Sequence, residues 1–281
     1  MSPCDAALAA IGALDAVDLD ELNARAELLT RVDRKYVLPL ADLPRVLGGL
    51  PAGTLALELD GSRAQAYESV YFDTADLTSF TLAARGRRRR FKVRTRSYVD
   101  SDLSFLEVKT RGGRAVTVKD RIPVDPDGAA ALDGDAVAYT RRVLDESGIG
   151  APAALRLDSV LTTAYRRATL LVPADGDRPE SRATVDLDLS WHERSGHGRG
   201  GDGRGGDGPG RVLRLPGRAV VETKSGASAG AVDRALWAAG HRPARISKYA
   251  TGLAALRPGL PANRWHRVLH RDFAGAERSA A

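Results

Sequence analysis

Six lysines stand apart in a chain whose other basic residues are all arginine. The chain has 42 basic residues, and only six of them are lysine. A lysine kept in so arginine-rich a composition indicates a position that needs a compact ammonium ion and not a guanidinium fork. We therefore predict one cationic cavity built from several strands; the alternative is six surface lysines left by chance. The six are Lys35, Lys92, Lys109, Lys119, Lys224 and Lys248.

Two neighbouring segments show the clearest alternation of charged with apolar residues. In Arg88–Tyr98 every second residue from position 90 to 96 is basic, and in Leu103–Arg111 a carboxylate and two cations alternate with apolar residues. Successive side chains of a strand point to opposite faces of the sheet, so each segment predicts a strand with one charged face. Like charges on one face repel one another, which favours a water-filled lumen that binds a polyanion. These faces carry Arg90, Lys92, Arg94, Arg96, Phe105, Glu107, Lys109 and Arg111.

Acidic residues recur on the predicted charged faces. Glu107 lies two residues before a lysine, Glu222 does the same, and Asp186 and Asp188 form a similar pair. Carboxylate oxygens are ligands that Mg²⁺ and Mn²⁺ prefer, and these ions also bridge phosphate oxygens. Glu222 and Glu107 are therefore candidate ligands for Mn²⁺ or Mg²⁺, and Asp186 or Asp188 could replace them. The alternative is that each carboxylate only neutralises a neighbouring Lys or Arg.

The elements that must position these residues predict an α+β fold. Closing eight strands gives an interior wide enough for charged side chains and a linear ligand, and helices would cover the outer apolar faces. We predict an antiparallel eight-stranded β-barrel with a charged interior and flanking helices, with a tight turn at Gly112-Gly113. The predicted strands are 29–38, 55–59, 66–73, 88–98, 103–111, 115–122, 159–165, 167–172, 182–191, 212–215 and 219–224, and the helices about 41–48, 74–84, 129–147, 229–239 and 247–256.

The predicted domain organisation is one domain over residues 25–275. Residues 1–24 carry acids after a short apolar stretch and predict a short helix or a loose N-terminal arm. Residues 195–210 contain nine glycines and no apolar core former, so they predict a flexible surface loop. Charged-face strands lie on both sides of this loop, which therefore splits a strand pair and does not separate two domains.

Composition favours a polyanionic partner. The net charge is +6 and the sequence pI is about 9.7, which suits nucleic acid, a phosphate polymer, a nucleotide or an anionic membrane. Aromatic residues are only 5% of the chain and no basic stripe is interleaved with them, so specific nucleic-acid binding is not expected. The single Cys4 excludes an intramolecular disulfide. The sequence shows no signal peptide and no apolar run of about 20 residues that could span a bilayer. We therefore expect a cytoplasmic protein.

Eight motifs in order resemble the VTC domain, the catalytic domain of vacuolar transporter chaperone polyphosphate polymerases. They are RVDRKYVLP, YFDT before a helix, FKVRTRSY, FLEVKTR, TTAYRRATL, RATVDLDL, VVETKSG and RISKYATG. The resemblance covers roughly residues 25–255 and is of the bacterial stand-alone type. It implies the triphosphate tunnel metalloenzyme superfamily, whose fold is an antiparallel eight-stranded barrel. It also implies transfer of the γ-phosphate of ATP to a growing polyphosphate chain, with ATP and inorganic polyphosphate as partners.

The resemblance also assigns roles residue by residue. The residues expected to act in catalysis are Lys35, Arg94, Arg96, Lys109, Lys119, Arg167 and Lys248. Substrate binding is expected of Arg85, Arg121 and Arg245, to which the charged-face pattern adds Lys92 and Lys224. Glu222, with Glu107, is the expected metal ligand.

Two departures from the family keep other functions open. There is no membrane segment like that of the eukaryotic complex, so a membrane-protein partner is conceivable. Where the superfamily opens with Glu-x-Glu-x-Lys, this chain has Arg31-Val-Asp33-Arg-Lys35, which argues against a plain triphosphate hydrolase. The alternatives are a metal-dependent triphosphate or tripolyphosphate hydrolase on the same barrel, and a non-catalytic module that binds polyphosphate or nucleotide.

Overall fold

The computed structural model describes residues 1–25, 32–111, 117–150, 155–176, 178–194 and 210–280. The strands are β1 (Asp15–Val17), β2 (Val32–Pro39), β3 (Leu55–Leu57), β4 (Gln65–Asp73), β5 (Arg90–Tyr98), β6 (Leu103–Arg111), β7 (Thr117–Val124), β8 (Asp158–Val172), β9 (Ser181–Glu193), β10 (Arg211–Leu215), β11 (Arg218–Ser225) and β12 (Glu277–Ala280). The α-helices are α1 (Pro3–Gly12), α2 (Leu19–Arg25), α3 (Leu43–Gly48), α4 (Thr78–Ala84), α5 (Gly134–Glu146), α6 (Ala231–Ala238), α7 (Lys248–Leu256) and α8 (His266–Arg271).

All twelve strands belong to one sheet, and eight of them form a continuous antiparallel path. Its order is β7-β6-β5-β4-β8-β9-β11-β2. The long strand β9 pairs with β11 through its first half and with β10 through its second half. Strand β12 extends the sheet beyond β10, and β3 adds to β8 and carries β1 as its parallel neighbour.

The sheet is not closed, so the predicted closed eight-stranded barrel is corrected to an open sheet. Among the described residues no backbone pairing joins β2 to β7, the two ends of the path. Lysines lie on the charged face near both edges, and the charge of Lys35 on β2 reaches Lys109 on β6. The carboxylates of Glu222 and Asp33 act on Lys109 in the opposite direction to Lys35, so charge alone does not decide whether this seam closes.

The apolar faces of the strands are buried as the alternation predicts, and helices cover them. Phe91, Val93, Leu106 and Val108 are buried together beneath α5. A second cluster lies beneath α1, α3 and α6, and the largest packs beneath α4, α7 and α8. Strand β7 is the exception, because Val118 is 47% exposed at the edge of the sheet.

Helix α7 packs unusually close to the sheet. Gly252 lies against Trp191 of β9, and a Cβ atom at position 252 would lie 2.2 Å from Cδ1 of that ring. The indole Nε1 also donates a hydrogen bond of 2.7 Å to the backbone oxygen of Lys248. Only glycine allows this approach, which fixes the N-terminus of α7 over the charged face of the sheet.

Several element bounds differ from the sequence expectations. The two segments predicted at 159–165 and 167–172 are one strand, β8, with an irregularity in its pairing between Ala164 and Arg166. Helix α5 begins at Gly134, because the Asp133 side chain accepts the Ala136 backbone N–H at 2.7 Å and caps the helix there. The N-terminal residues form a packed helix and not a loose arm, since Ala7 and Ile11 of α1 are in the core. The Gly112-Gly113 turn, and the predicted loop up to residue 209, lie outside the described residues.

Candidate functional site

The charged faces of β5, β6 and β7 lie side by side in rows. In the register of the sheet, Lys92 lies across from Lys109, and Lys109 lies across from Lys119. One row further along the strands, Arg94 lies across from Glu107. Directly opposed side chains in an antiparallel sheet have Cβ atoms about 5 Å apart, so each row acts as one electrostatic unit.

Glu107 is the centre of an ion-pair cluster. Its side chain is 3% exposed, and Arg94 donates to Oε2 through Nε and Nη2 at 2.8 and 2.6 Å. Nζ of Lys119 lies 2.8 Å from Oε1, and Nη2 of Arg96 lies 3.5 Å from Oε2. Burial acts to raise the pKa of Glu107, but Arg94 and Lys119 outweigh it and lower this pKa below its ordinary value. The ionised carboxylate therefore orients the cations around it.

The charged faces of β5, β6 and β7 form one wall of the site, and strands β2 and β11 form a second wall. In the second wall, charges of opposite sign face each other. Lys35 lies across from Glu222 and forms an ion pair with it, and Lys224 lies across from Asp33. Burial acts to raise the pKa of Glu222, but Lys35 outweighs it and this pKa is lowered far below its ordinary value. The Glu222 side chain remains 18% exposed, so it is accessible from the space between the walls.

Arg167, Asp186 and Lys248 form a third cluster. Arg167 donates to both oxygens of Asp186 at 2.6 and 2.9 Å, and the ammonium of Lys248 contacts the same carboxylate. Despite complete burial, which opposes ionisation, the pKa of Asp186 is lowered by Arg167 and Lys248. Asp188 does not join Asp186: its φ of 52° breaks the strand alternation, and its Oδ1 accepts a contact of 3.3 Å from Cys4 Sγ. The pairing expected from their spacing is therefore wrong.

Lys92 is a cation of the site whose charged form is strongly disfavoured. Its ammonium donates to the hydroxyl of Ser247 at 3.2 Å. Burial, followed by the charges of Arg94, Lys109 and Lys35, lowers the pKa of Lys92 well below its ordinary value. An anion placed beside this ammonium would relieve the repulsion and raise the pKa again.

Tyrosine rings form the floor beneath the cations. Arg94 Cζ lies 5.8 Å from the centre of the Tyr71 ring, and Arg167 Cζ lies 5.2 Å from that of Tyr165. Lys248 Nζ lies 4.2 Å from the centre of the Tyr165 ring. The Tyr71 hydroxyl also accepts a hydrogen bond of 3.2 Å from Arg94. Such cation–π contacts stabilise desolvated cations without neutralising them.

These walls enclose one cavity of about 240 Å³, which we call the central cavity. All six lysines of the chain line it, as the lysine-poor composition predicts. Nine cations face the carboxylates of Asp33, Glu107, Glu222 and the wall residue Asp186, so the cavity has a net positive charge that attracts polyanions. Its lining residues are Asp33, Lys35, Tyr71, Lys92, Arg94, Arg96, Glu107, Lys109, Lys119, Tyr165, Arg167, Glu222, Lys224, Ile246, Ser247 and Lys248.

Three of the predicted substrate-binding residues lie elsewhere. Arg121 is exposed on β7, with its guanidinium 4.9 Å from the centre of the Phe105 ring. Arg85 is exposed at the end of α4 and does not line the central cavity. Arg245 lines an adjoining cavity of about 410 Å³. Their expected contacts with substrate remain predictions.

Neither the aromatic floor nor Ser247 was expected from the sequence. Tyr71 and Tyr165 lie within the motifs YFDT and TTAYRR, and Ser247 directly precedes Lys248. For Tyr165 and Ser247, a position beside predicted cations is the signal that could have identified them, whereas Tyr71 has no such neighbour in the sequence. Which ring lies under which cation depends on the pairing of β4 with β5 and β8.

Buried hydrogen bonds hold the N-terminus of α7 in place. Asp73 is fully buried and accepts the backbone N–H groups of Thr74, Ser79 and Phe80 at 2.8, 2.8 and 2.9 Å, which caps α4. Its carboxylate also accepts the Tyr249 hydroxyl. One side chain therefore links α4 to α7, and α7 begins with Lys248, directly after Ser247.

The donor set fits one shared divalent cation better than a complete protein metal site. Within the described ranges no three His, Cys, Asp or Glu side chains converge as they would around a metal. Glu107 and Asp186 are almost fully enclosed by cations, whereas Glu222 is partly accessible. Mg²⁺ is commonly bound by one or two carboxylates with substrate phosphates completing its shell. Glu222 fits that role.

The model of the VTC domain family matches residues 30–257 of this chain. No curated protein matches it. The described part of the chain holds no helix that is both long and apolar enough to cross a bilayer.

Several solved structures are loosely similar to the chain. A putative adenylyl cyclase from Hippeastrum, described as having a dominant triphosphatase activity, is 15% identical with a TM-score of 0.44, over 83% of this chain and 99% of that one. A conserved hypothetical protein from Pyrococcus furiosus is 12% identical with a TM-score of 0.37, over 78% of this chain and 98% of that one.

Proposed function

Because the chain belongs to the VTC domain family, we propose that it is a polyphosphate polymerase, which transfers the γ-phosphate of ATP to the end of a growing inorganic polyphosphate chain. The observation that carries this proposal is the central cavity, in which cations from both walls of the open sheet converge. We propose that the phosphate chain lies between these walls and that the space functions as a tunnel when it is filled.

Phosphoryl transfer requires little covalent chemistry from the protein. It requires that the two reacting phosphates be held in line and that the charge on the transferred group be stabilised. Arg94 and Arg167 are each held by a buried carboxylate, and each contacts a tyrosine ring. Their remaining N–H groups are therefore presented in fixed positions, which lowers the reorganisation needed when charge develops.

The lysines of the cavity complete the phosphate-binding surface. Lys35, Lys109 and Lys119 are point charges that neutralise a chain without demanding one geometry. The desolvated Lys92 gains most from an incoming anion, because burial and the cations around it penalise its charged form in the empty cavity. Polyphosphate would therefore bind with uptake of protons.

A divalent cation, Mn²⁺ or Mg²⁺, would be held by Glu222 together with phosphate oxygens. When bound, it would neutralise phosphate charge and help to orient the triphosphate. Lys35, which lies against Glu222, would then be released to contact phosphate. Glu107 would keep its ion pairs and act by orienting Arg94.

The charge balance of the cavity favours transfer over hydrolysis. A hydrolase needs a metal-held or base-positioned water near the scissile phosphate. Here the carboxylates of Glu107 and Asp186 are each engaged by at least two cations, which leaves them poorly placed to position a water. An excess of cations also retains the anionic product for another round of transfer.

One reaction tests the proposal. Purified protein is incubated with ATP and Mn²⁺ or Mg²⁺, and ADP, orthophosphate and polymer are resolved over time. A polymerase accumulates ADP and long polyphosphate together, with little orthophosphate at early times. Release of orthophosphate alone from ATP or tripolyphosphate would identify a hydrolase. Tight polyphosphate binding without turnover, with either metal, would identify a binding module.

A further inference from the structure

A second cavity opens directly from the central one and is also cationic, with a single carboxylate among its lining residues in the described part of the chain. It measures about 410 Å³ and shares Lys35, Lys92 and Lys109 with the central cavity. The residues that only this outer cavity contains include four arginines, Arg90, Arg111, Arg245 and Arg264. Asp33 is the one carboxylate on its wall in the described part of the chain.

Facing cations continue along β5 and β6 from the central cavity into this outer space. Lys92 lies across from Lys109, and two residues further Arg90 lies across from Arg111. Directly opposed like charges destabilise a sheet. Burial, and then the charges of Arg111 and Arg264, lower the pKa of Arg90. An anion lying over two successive rows of this kind would stabilise both.

The loop before β5 extends the cationic surface outward. Residues 87–89 are three exposed arginines whose side chains make no hydrogen bond or ion pair within the described residues. Gly86 has a φ of +64°, and a Cβ there would lie 2.5 Å from Nη1 of Arg264. The Arg264 guanidinium therefore packs directly on this loop. We call Arg90, Arg111, Arg245 and Arg264, together with residues 87–89, the arginine rim.

We propose that the arginine rim binds the part of a linear polyphosphate that extends out of the central cavity, so that the protein prefers long chains to tripolyphosphate. This inference rests on the proposed function. Arg90 lies four residues along β5 from Arg94, about 13 Å away at the rise of a strand. Tripolyphosphate held at Arg94 reaches at most the inner edge of the rim, whereas a long chain covers the cavity and the rim together.

Binding without ATP tests the rim. The double variant R90Q/R264Q is compared with R142Q/R178Q, which removes the same charge from α5, where Arg142 is exposed, and from the turn between β8 and β9, where Arg178 is partly exposed. The probes are sodium polyphosphate of long chain length and tripolyphosphate. The rim variant should bind long polyphosphate at least tenfold more weakly than the parent. Its affinity should also depend less steeply on salt concentration, because binding releases fewer counterions. Its affinity for tripolyphosphate should change less than twofold, and the control should keep both affinities.

Three results would overturn the rim proposal. The first is that the rim variant binds long polyphosphate like the parent. The second is that it loses affinity for both probes equally, because an equal loss would reflect only the overall electrostatic field of the protein. The third is that it keeps its polyphosphate affinity and loses binding to phosphatidylserine vesicles, which would make the rim a membrane contact. If R90Q/R264Q does not fold, R264Q alone replaces it, because Arg264 is exposed.

The test separates the rim from the polymerase proposal. If the parent protein makes no polymer but the rim variant loses affinity for long polyphosphate only, the polymerase proposal is refuted and the rim proposal stands. If the parent makes polymer and the rim variant binds long polyphosphate as the parent does, the rim proposal is refuted and the polymerase proposal stands.

Discussion

Arg94 and Glu107 lie directly across from each other on β5 and β6 and are joined by two hydrogen bonds, of 2.8 and 2.6 Å. This pair decides how the centre of the cavity is organised. Glu107 holds Arg94 in one orientation and also balances Lys119 and Arg96. We infer that Glu107 orients cations, whereas Glu222 is the carboxylate available to a metal.

Replacing Glu107 by Gln should destabilise the protein. The change leaves three cations without their carboxylate in a buried place, and breaking a buried ion pair costs about 3 kcal/mol or more. The measurement is the free energy of unfolding in urea with and without tripolyphosphate, which should restore part of the loss by supplying anionic oxygens. Glu21→Gln, at an exposed ion pair with Arg25, is the control and should cost less than about 1 kcal/mol. An equal cost at both positions would refute the role given to Glu107.

Replacing Glu222 by Gln should weaken metal binding more than folding. The change keeps the size of the side chain and removes the carboxylate that would ligate Mn²⁺. Titration of Mn²⁺ in the presence of tripolyphosphate, followed by electron paramagnetic resonance, should show an affinity at least tenfold lower. Glu193→Gln, whose carboxylate pairs with Arg257 outside the cavity, should bind Mn²⁺ like the parent. Unchanged Mn²⁺ affinity in E222Q would move the metal to Glu107 or Asp186.

Replacing Arg94 by Lys should lower kcat by at least tenfold. Lysine keeps the charge but loses the guanidinium fork that binds Glu107 and, in the proposed function, would bind phosphate at the same time. The lowered rate should appear in the initial rate of ADP formation at saturating ATP. Arg142→Lys on α5 is the matched control. A variant R94K with the parent's kcat would show that only the charge of residue 94 matters.

Polyphosphate affinity should fall as pH rises toward the ordinary lysine pKa of 10.5. The pKa of Lys92 is depressed in the empty cavity and raised by a bound anion, so binding takes up a proton above the depressed value. Affinity is therefore highest at low pH and is lost as Lys92 deprotonates. Isothermal titration calorimetry in buffers of different ionisation enthalpy measures this uptake. Lys92→Met should reduce the uptake, and an unchanged value would show that another group carries it.

Residues 195–209 should be dispensable for folding and turnover. The strands on either side form an antiparallel pair in which His192 lies across from Val212, so a short turn could join them. The intervening segment is glycine-rich and has little apolar surface to bury. Replacement by a short turn should leave the melting temperature and ATP turnover close to those of the parent. A large loss of either would assign this segment a structural or catalytic role.

Local sequence pattern was sufficient to predict the charged faces of β5 and β6. The period of two residues is a property of a single strand, and Phe91, Val93, Leu106 and Val108 are buried where that period places them. The residual lysines were informative for the same reason, because five of the six lie on strands that border the cavity, whereas Lys248 begins helix α7. The family, too, could be recognised from motifs in order along the chain.

Which charged side chains pair with each other was decided by the tertiary structure. Asp186 and Asp188 have the spacing of a shared face, yet the left-handed backbone at Asp188 sends the two carboxylates to different partners. That Glu107 balances three cations, and that Tyr71 and Tyr165 lie beneath them, follows from the register of strands far apart in sequence. The closed barrel predicted from the sequence was wrong, because closure depends on whether β2 and β7, which are far apart in the chain, meet in backbone hydrogen bonding, and the described residues show no such pairing.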